Sequence, residues 1–258
     1  MSTIIYPSPI FGPIHSRRLG LSLGINLMPS DGKVCTFDCI YCECGYNSTH
    51  RPQTKRPTRE EVYQALRTKL IDMKKENTLP DVITFAGNGE PTSHPQFYNI
   101  IVDSLTLRNI YCPNAKISVL SNGTLIDRNN VFMALTLVDN NILKLDTVNE
   151  DYIKLVNRPL LWYNIKNQIK IMQRFQGHVI IQTMFMKGKL GTTNVSNVSQ
   201  KLIQPWLDAL KQIAPSEVMV YTLDRETPEA GLIKALPEEL DDIVKQVEAL
   251  GIHAIASY

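Results

Sequence analysis

The sequence predicts an α/β protein: a curved parallel sheet with helices packed outside it. Three observations predict this. Short apolar runs rich in β-branched residues recur six times, an amphipathic stretch of helical length follows each, and the unusual polar residues fall just after the runs. Near-continuous hydrophobic strands mark a sheet covered on both faces. Right-handed crossovers then curl it into part of a barrel or an open wound sheet. In either case ligands gather at the C-terminal ends of the strands.

The elements follow in order. "SLGINL" (22–27) reads as a strand running into a cysteine-rich loop, and "PTREEVYQALRTKLIDMKK" (57–75) as a helix. Thr58 with Glu61 three residues on forms a capping box at its start. "DVITFAG" (81–87) is the second strand, before a helix from about Pro95. "KISVLSN" (116–122) and "NILKLD" (141–146) are the third and fourth, each with a helix after it, around 126–137 and 161–175. "HVIIQTMF" (178–185) is the fifth; in the helix after it (200–213), Pro205 forces a late start or a kink. "EVMVYTL" (217–223) is the sixth, and 237–251 is a closing helix with Pro237 at its start and Gly251 past its end. "HAIASY" (253–258) is a last short strand or a tail. No linker or low-complexity tract divides the chain. The expectation is one domain over 1–258, with an N-terminal extension (1–21) and a C-terminal helix and tail (226–258).

Composition narrows the class. Hydrophobic residues make up 43% and charged residues 20% of the 258, ordinary for a globular protein. No apolar run nears the ~20 residues of a membrane span, and the start "MSTIIYPSPIFGP" has neither the basic end nor the apolar stretch of a leader. A cytoplasmic protein without a membrane partner is expected. The net charge of +2 is uneven: residues 1–80 carry 11 Lys+Arg against 7 Asp+Glu. Much of the excess is Arg51, Lys55, Arg56 and Arg59, read as a solvated loop before a helix or as a rim that attracts phosphate.

Four of the five cysteines fall within "KVCTFDCIYCECG": Cys35, Cys39, Cys42 and Cys44, spaced C-x3-C-x2-C-x-C. An odd count in a chain of this size argues against a disulfide framework. No longer arm returns a second pair, as a structural zinc site needs. An iron–sulfur cluster remains, since thiolates bind iron well. Three cysteines spaced x3 then x2 can hold three irons of a cube and leave the fourth open. Cys44 would compete for that iron, so it is expected to point away. Cys112 stands alone, as a buried small residue.

At these residues a family resemblance enters. "CTFDCIYC" resembles the C-x3-C-x-aromatic-C signature of the radical S-adenosylmethionine (SAM) superfamily, with Tyr41 at the aromatic position. "GNGEP" (87–91) is similar to its glycine-rich motif after the second strand, with Asn88 at a glycine-type position. The resemblance spans about residues 10–225 and implies a partial (β/α)6 TIM-like barrel. Upstream, "GPIHSRRLGLSLGINL" resembles a group of iron–sulfur oxidoreductases related to wyosine-forming tRNA enzymes.

The resemblance implies two cofactors, a [4Fe–4S] cluster and SAM. Cys35, Cys39 and Cys42 would ligate iron, and SAM would chelate the open one. Tyr41 would lie by the adenine. Gly87, Asn88 and Gly89 would bring backbone close to the methionyl ammonium, and Glu90 would face this site or cap the next helix. Ser121 and Asn122 match a SAM-contact position, Asp146 would accept from the ribose hydroxyls, and Thr183 with Met184 would line the adenosine pocket. Arg17 and Arg18 would grip an anionic substrate, with His15 beside them. Tyr221, Asp224, Arg225 and Glu226 are further candidates for substrate contact.

The implied function is reductive cleavage of SAM to a 5′-deoxyadenosyl radical that takes hydrogen from a small molecule such as a nucleoside or base. The electron would come from a donor such as flavodoxin or ferredoxin. The alternatives are a tRNA base-modifying enzyme, with tRNA as partner, and a non-enzymatic iron–sulfur electron carrier. Ferredoxin-like sites use four cysteines, and an electron carrier leaves "GNGEP" unexplained.

Overall fold

A computed structural model describes residues 3–16 and 20–258. Arg17 and Arg18 lie outside the described residues. The chain begins with β1 (Ile10–Ser16) and β2 (Gly20–Ile25), then α1 (Arg59–Lys75), β3 (Val82–Phe85), α2 (Phe97–Tyr111), β4 (Lys116–Ser121) and α3 (Asn129–Leu137). It continues with β5 (Asn140–Lys144), the single turn α4 (Glu150–Tyr152), α5 (Ile165–Gln173), β6 (Ile180–Met184), β7 (Met186–Leu190), β8 (Thr193–Asn194) and α6 (Gln200–Ile213). β9 (Glu217–Tyr221), β10 (Leu232–Lys234), α7 (Pro237–Glu248) and β11 (Ala254–Ser257) complete it.

The main sheet runs β1-β2-β3-β4-β5-β6-β9-β11. Every neighbour from β2 to β11 is parallel, and β1 closes one edge as an antiparallel hairpin with β2. The ordered strands curl into a half-barrel, the predicted partial barrel. All four residues of β3 and all five of β6 are buried, as a sheet covered on both faces requires. Alternation along each strand divides two environments. Leu23 and Ile25, Ile83 and Phe85, Ile117 and Val119, and Val218 and Val220 face the helices in the main core. The opposite face lines the lumen, where Ile142, Ile180 and Met219 form a small apolar floor.

The six predicted strand–helix repeats are all present. Thr58 and Glu61 form the expected capping box. Pro205 lies inside α6, which starts at Gln200 rather than late. The last residues are not a tail: β11 pairs with β9, Ala254 opposite Val218. A second sheet of β10, β7 and β8 and β1 were not foreseen. β8 and β10 are only two and three residues long, β1 and β7 are interrupted by glycine or proline, and all four are partly exposed, so they lack the apolar signal on which the reading relied. Among the described residues no helix is long and apolar enough to cross a membrane.

Thr58 satisfies the amide of Glu61 at 3.2 Å, and Glu61 returns the bond to the Thr58 amide at 2.6 Å. Thr58→Ala removes one of the two, and the unfolding free energy in urea is expected to fall by about 1 kcal/mol.

Candidate functional site

Residues 26–58, between β2 and α1, form neither helix nor strand, yet main-chain bonds clamp this loop on two sides. On one side Val34 bridges Gly89 in parallel: the Val34 amide donates to the Asn88 carbonyl at 2.9 Å, and the Glu90 amide to the Val34 carbonyl at 3.2 Å. A Cβ on Gly89 would lie 1.9 Å from the Val34 oxygen, so only glycine permits this approach. On the other side Phe37 bridges Pro159, and the Ile40 amide donates to the Val156 carbonyl at 3.0 Å.

Inside the loop a cation stands behind the thiols. Lys33, 1% exposed in its side chain, donates to the Gly45 carbonyl at 2.6 Å and to Asp38 at 3.3 Å. Asp38 also accepts from the amide and side chain of Asn47, at 2.8 and 3.1 Å, while Asn47 Oδ1 takes the Cys35 amide at 3.0 Å. Burial disfavours the Lys33 charge, but Cys42, Cys35, Cys39 and Asp38 outweigh it and raise its pKa above the ordinary lysine value. Burial pushes the Cys35 thiol up to about 12, with Glu90 adding to the shift, and the Cys39 thiol up to about 11. Cys42 is shifted the other way, because the Cys44 thiol donates to it and Lys33 lies near.

Cys44 corrects one expectation. It does not point away from the other thiols: it lies within hydrogen-bond reach of Cys42, and its sulfur is 3.5 Å from the Gly87 carbonyl. It is 6% exposed, and its single S–H has these two acceptors in reach.

The β3 and β4 loops are tied by Glu90. Its buried carboxylate accepts from the Thr92 amide and hydroxyl at 3.1 and 2.6 Å, from Ser121 at 2.8 Å and from the Asn122 amide at 2.7 Å. Burial raises its pKa despite these donors. Glu90 thus caps the short turn Pro91–Ser93 and also positions Asn122, whose side chain reaches Thr36 at 2.8 Å and the Cys35 sulfur at 3.6 Å. The Asn88 side chain turns away from the thiols, to the start of the loop and the N-terminal segment. It donates to the carbonyls of Tyr6 and Pro29 at 2.9 and 2.8 Å and accepts the Tyr6 amide at 2.7 Å. Asparagine at this glycine-type position fastens the N-terminal segment.

A third group surrounds Asp146. Its Oδ2 accepts from the Tyr41 hydroxyl, from Asn157 at 2.7 Å and from Lys144 at 3.5 Å; its Oδ1 takes the Met184 amide at 3.0 Å. Lys144 also donates to the hydroxyls of Tyr41 at 2.7 Å and Tyr221 at 3.5 Å. Asn157, at the end of a π turn over Ile153–Asn157, approaches the Cys39 sulfur at 3.7 Å.

The structure thus brings Cys35, Cys39, Cys42, Tyr41, Gly87, Gly89, Glu90, Ser121, Asn122, Asp146 and Tyr221 to one end of the half-barrel. Thr183 is not brought to it. It lies on the strand face of Ile181 and Phe185, and its hydroxyl donates to the Leu145 carbonyl at 2.8 Å. The 51–59 segment is only partly a free basic rim. Arg56 donates to the Ser93 carbonyl at 2.7 Å, and Arg59 grips Asp103 through two bonds at 2.6 and 2.8 Å. Sequence reasoning missed Lys33, Asn47, Lys144 and Asn157. Only Lys144 carried a signal: a lysine inside the apolar run "NILKLD".

Below the loop a cavity of about 390 Å³ opens into the lumen. Ser22, Thr84 and Leu120 line its wall, Cys42, Cys44 and Gly87 its top, and Tyr6, His15, Asp224 and Arg225 its rim.

The class follows from the match of residues 30–190 to the family described as the Radical SAM superfamily; the chain belongs to this superfamily, whose members use a [4Fe–4S] cluster and SAM. Among its relatives, a UPF0026 protein from Helicobacter pylori (strain 26695) is 31% identical over 222 residues, 85% of this chain and 67% of that one. A Brachyspira hyodysenteriae protein described as GTPase Obg is 27% identical over 245 residues, and the chain spans only 33% of its length. Among solved structures, a radical SAM methyltransferase from Sphaerobacter thermophilus superposes with a TM-score of 0.67 at 18% identity, over 92% of this chain and 66% of that one. Archaeal TYW1 gives 0.53 at 16%, over 88% and 71%. These two likenesses are of fold.

Cys35, Cys39 and Cys42, carried by one clamped loop, are a donor set of the chemistry an iron–sulfur cube takes, one thiolate per iron.

Lys33→Met leaves Asp38 without its cation in a nearly closed site. Urea unfolding of the apoprotein is expected to show a loss of about 2–3 kcal/mol, because breaking a buried pair strands the remaining charge.

Proposed function

We propose that the chain is a radical SAM enzyme in which Cys35, Cys39 and Cys42 hold a [4Fe–4S] cluster with one iron left for SAM, and that its substrate is a small molecule bound in the lumen. The observation that carries this is a clamped loop bearing three thiols, one of which, Cys42, borders a cavity with Cys44 and Gly87. About 390 Å³ lies within the range of small-molecule sites. When bound, the cofactors supply a one-electron cleavage of SAM that leaves a 5′-deoxyadenosyl radical able to take hydrogen from the substrate.

The protein's own residues hold and exclude. Gly87 and Gly89, with φ of +120° and +141°, bring main chain to the rim of the thiol loop, where the methionyl end of SAM would lie. Asn122 and Asn157 each aim an amide at a thiol sulfur, Cys35 at 3.6 Å and Cys39 at 3.7 Å, and so stabilise thiolate character there. Tyr41 and Asp146, hydrogen-bonded to each other, stand beside Cys39 on the β5 side of the loop. Asp146 already has four donors, so its first role is to fix Tyr41, Lys144 and Asn157 in place. Asp224 and Arg225 stand at the rim where a substrate would enter, and Tyr221 lies beside Lys144. The described residues read as one unit, because β1 and β11 belong to the same sheet.

The test is anaerobic reconstitution with iron and sulfide, then SAM and dithionite. The wild type is expected to release 5′-deoxyadenosine. Replacing Cys35, Cys39 or Cys42 by Ala should abolish both the cluster absorbance and that product. Cys44→Ser, whose hydroxyl can still reach the Gly87 carbonyl, should keep both. Equal product from wild type and Cys39→Ala would overturn the reading.

A further inference from the structure

We propose that the exposed tripeptide Leu160–Leu161–Trp162 is the docking surface for an acidic protein that delivers single electrons to the site; the proposal rests on the radical SAM reading above. Trp162 is 78% exposed, Leu160 58% and Leu161 48%. Three adjacent large apolar side chains in water are unusual for a surface with no partner. Their place is specific. The Leu160 amide donates to the Thr36 carbonyl at 2.9 Å, Pro159 bridges Phe37, and the Tyr163 ring meets Phe37 edge-on at 5.3 Å. The patch is therefore the solvent edge of the loop segment that joins Cys35 to Cys39.

Charge selects the occupant. From Tyr152 to Leu207 the chain has eight Lys and Arg and no Asp or Glu. Lys154 and Lys166, exposed, flank the patch in sequence, and the nearest acids are Glu150 and Asp151. An apolar centre with exposed lysines on either side of it in sequence suits a small, transient interface with an anionic protein. An electron donor has a reason to dock here that an RNA does not: its redox centre must come close to the thiol loop, and this is where the loop's covering reaches solvent. The donor's reduced flavin is oxidised by one electron, and the cluster is reduced by one.

The experiment compares two reductants in the reconstituted full chain: dithionite, which needs no docking, and reduced flavodoxin, an acidic flavoprotein. With dithionite, Trp162→Ser, Leu161→Ser and Lys166→Glu should release 5′-deoxyadenosine as the wild type does. With flavodoxin, Trp162→Ser should raise the KM for the donor about tenfold, as an aromatic anchor does, and Lys166→Glu should reduce the on-rate most strongly at low salt. If the wild type fails with dithionite, the radical SAM reading falls and this proposal with it. If the variants match the wild type with flavodoxin, the docking proposal alone falls. It also falls if Trp162→Ser fails equally with both reductants, which would make the loop a structural wall, or if it weakens tRNA binding and leaves flavodoxin turnover intact.

Discussion

A loop of more than thirty residues without helix or strand has to present three thiols in a fixed arrangement, and the parallel bridge between Val34 and Gly89 makes that possible. Ordinary loops carry their own turns and move. This one borrows rigidity from the sheet: β3 ends at Phe85, and its continuing backbone at Asn88 and Glu90 exchanges hydrogen bonds with Val34 as a strand neighbour would. Two facts about Gly89 enforce the contact. Its φ of +141° disfavours any side chain, and a Cβ would fall inside the van der Waals radius of the Val34 oxygen. The glycine-rich motif is therefore as much a clamp for the cysteine loop as a surface for a ligand.

Three carboxylates do the remaining fastening; Glu90 and Asp146 are buried and join segments distant in sequence, while Asp38 is half-buried and works within the loop. Asp38 gathers Lys33 and Asn47 within the loop, Glu90 joins the β3 and β4 ends, and Asp146 collects Tyr41, Asn157 and Lys144 from three parts of the chain. A carboxylate removed from water needs several donors to be tolerated. Each of these has at least three, so the electrostatic cost is offset and the geometry becomes over-determined. Such a cluster resists small displacements, since moving one donor weakens several bonds together. It also leaves two ammonium groups, Lys33 and Lys144, among the thiols. Their charge opposes the repulsion that arises as thiolates form.

What was legible in the sequence follows the same physics. The six strand–helix repeats were readable because burial on both faces demands long apolar runs, and the cysteine spacing was readable because a motif is local. Lys33 and Asn47 were not readable: their roles depend on a fold-back of twelve residues between Cys35 and Asn47 that no periodicity encodes. Asn157 was invisible for a related reason, since the π turn that aims it is a departure from regular helix. Glu90 was read as facing a site or capping a helix; it caps a turn and joins two loops at once. β1 carries Gly12, with positive φ, followed by Pro13, and Pro9 just precedes it, so it was read as extension rather than strand.

That misread strand shapes the cavity. Gly24 on β2 leaves a gap where a Cβ would lie 2.2 Å from the Phe11 ring, so β1 folds over the sheet edge with Phe11 filling the gap. Tyr6 stacks against Phe11 with centroids 4.6 Å apart. The Tyr6 hydroxyl then accepts from Arg225 at 2.6 Å, and the same nitrogen of Arg225 donates to Glu43 at 3.0 Å. Three segments, one before β1, one just past the last thiol and one after β9, thus meet at the rim. Tyr6, Phe11 and Arg225 all lie outside residues 30–190, where the superfamily match falls, while the thiols and the glycine clamp lie within it. Under the proposed function the chemistry is carried by the shared core and the selection of substrate by what wraps it. The rim lies close to the last thiol because Glu43, which anchors Arg225, sits between Cys42 and Cys44.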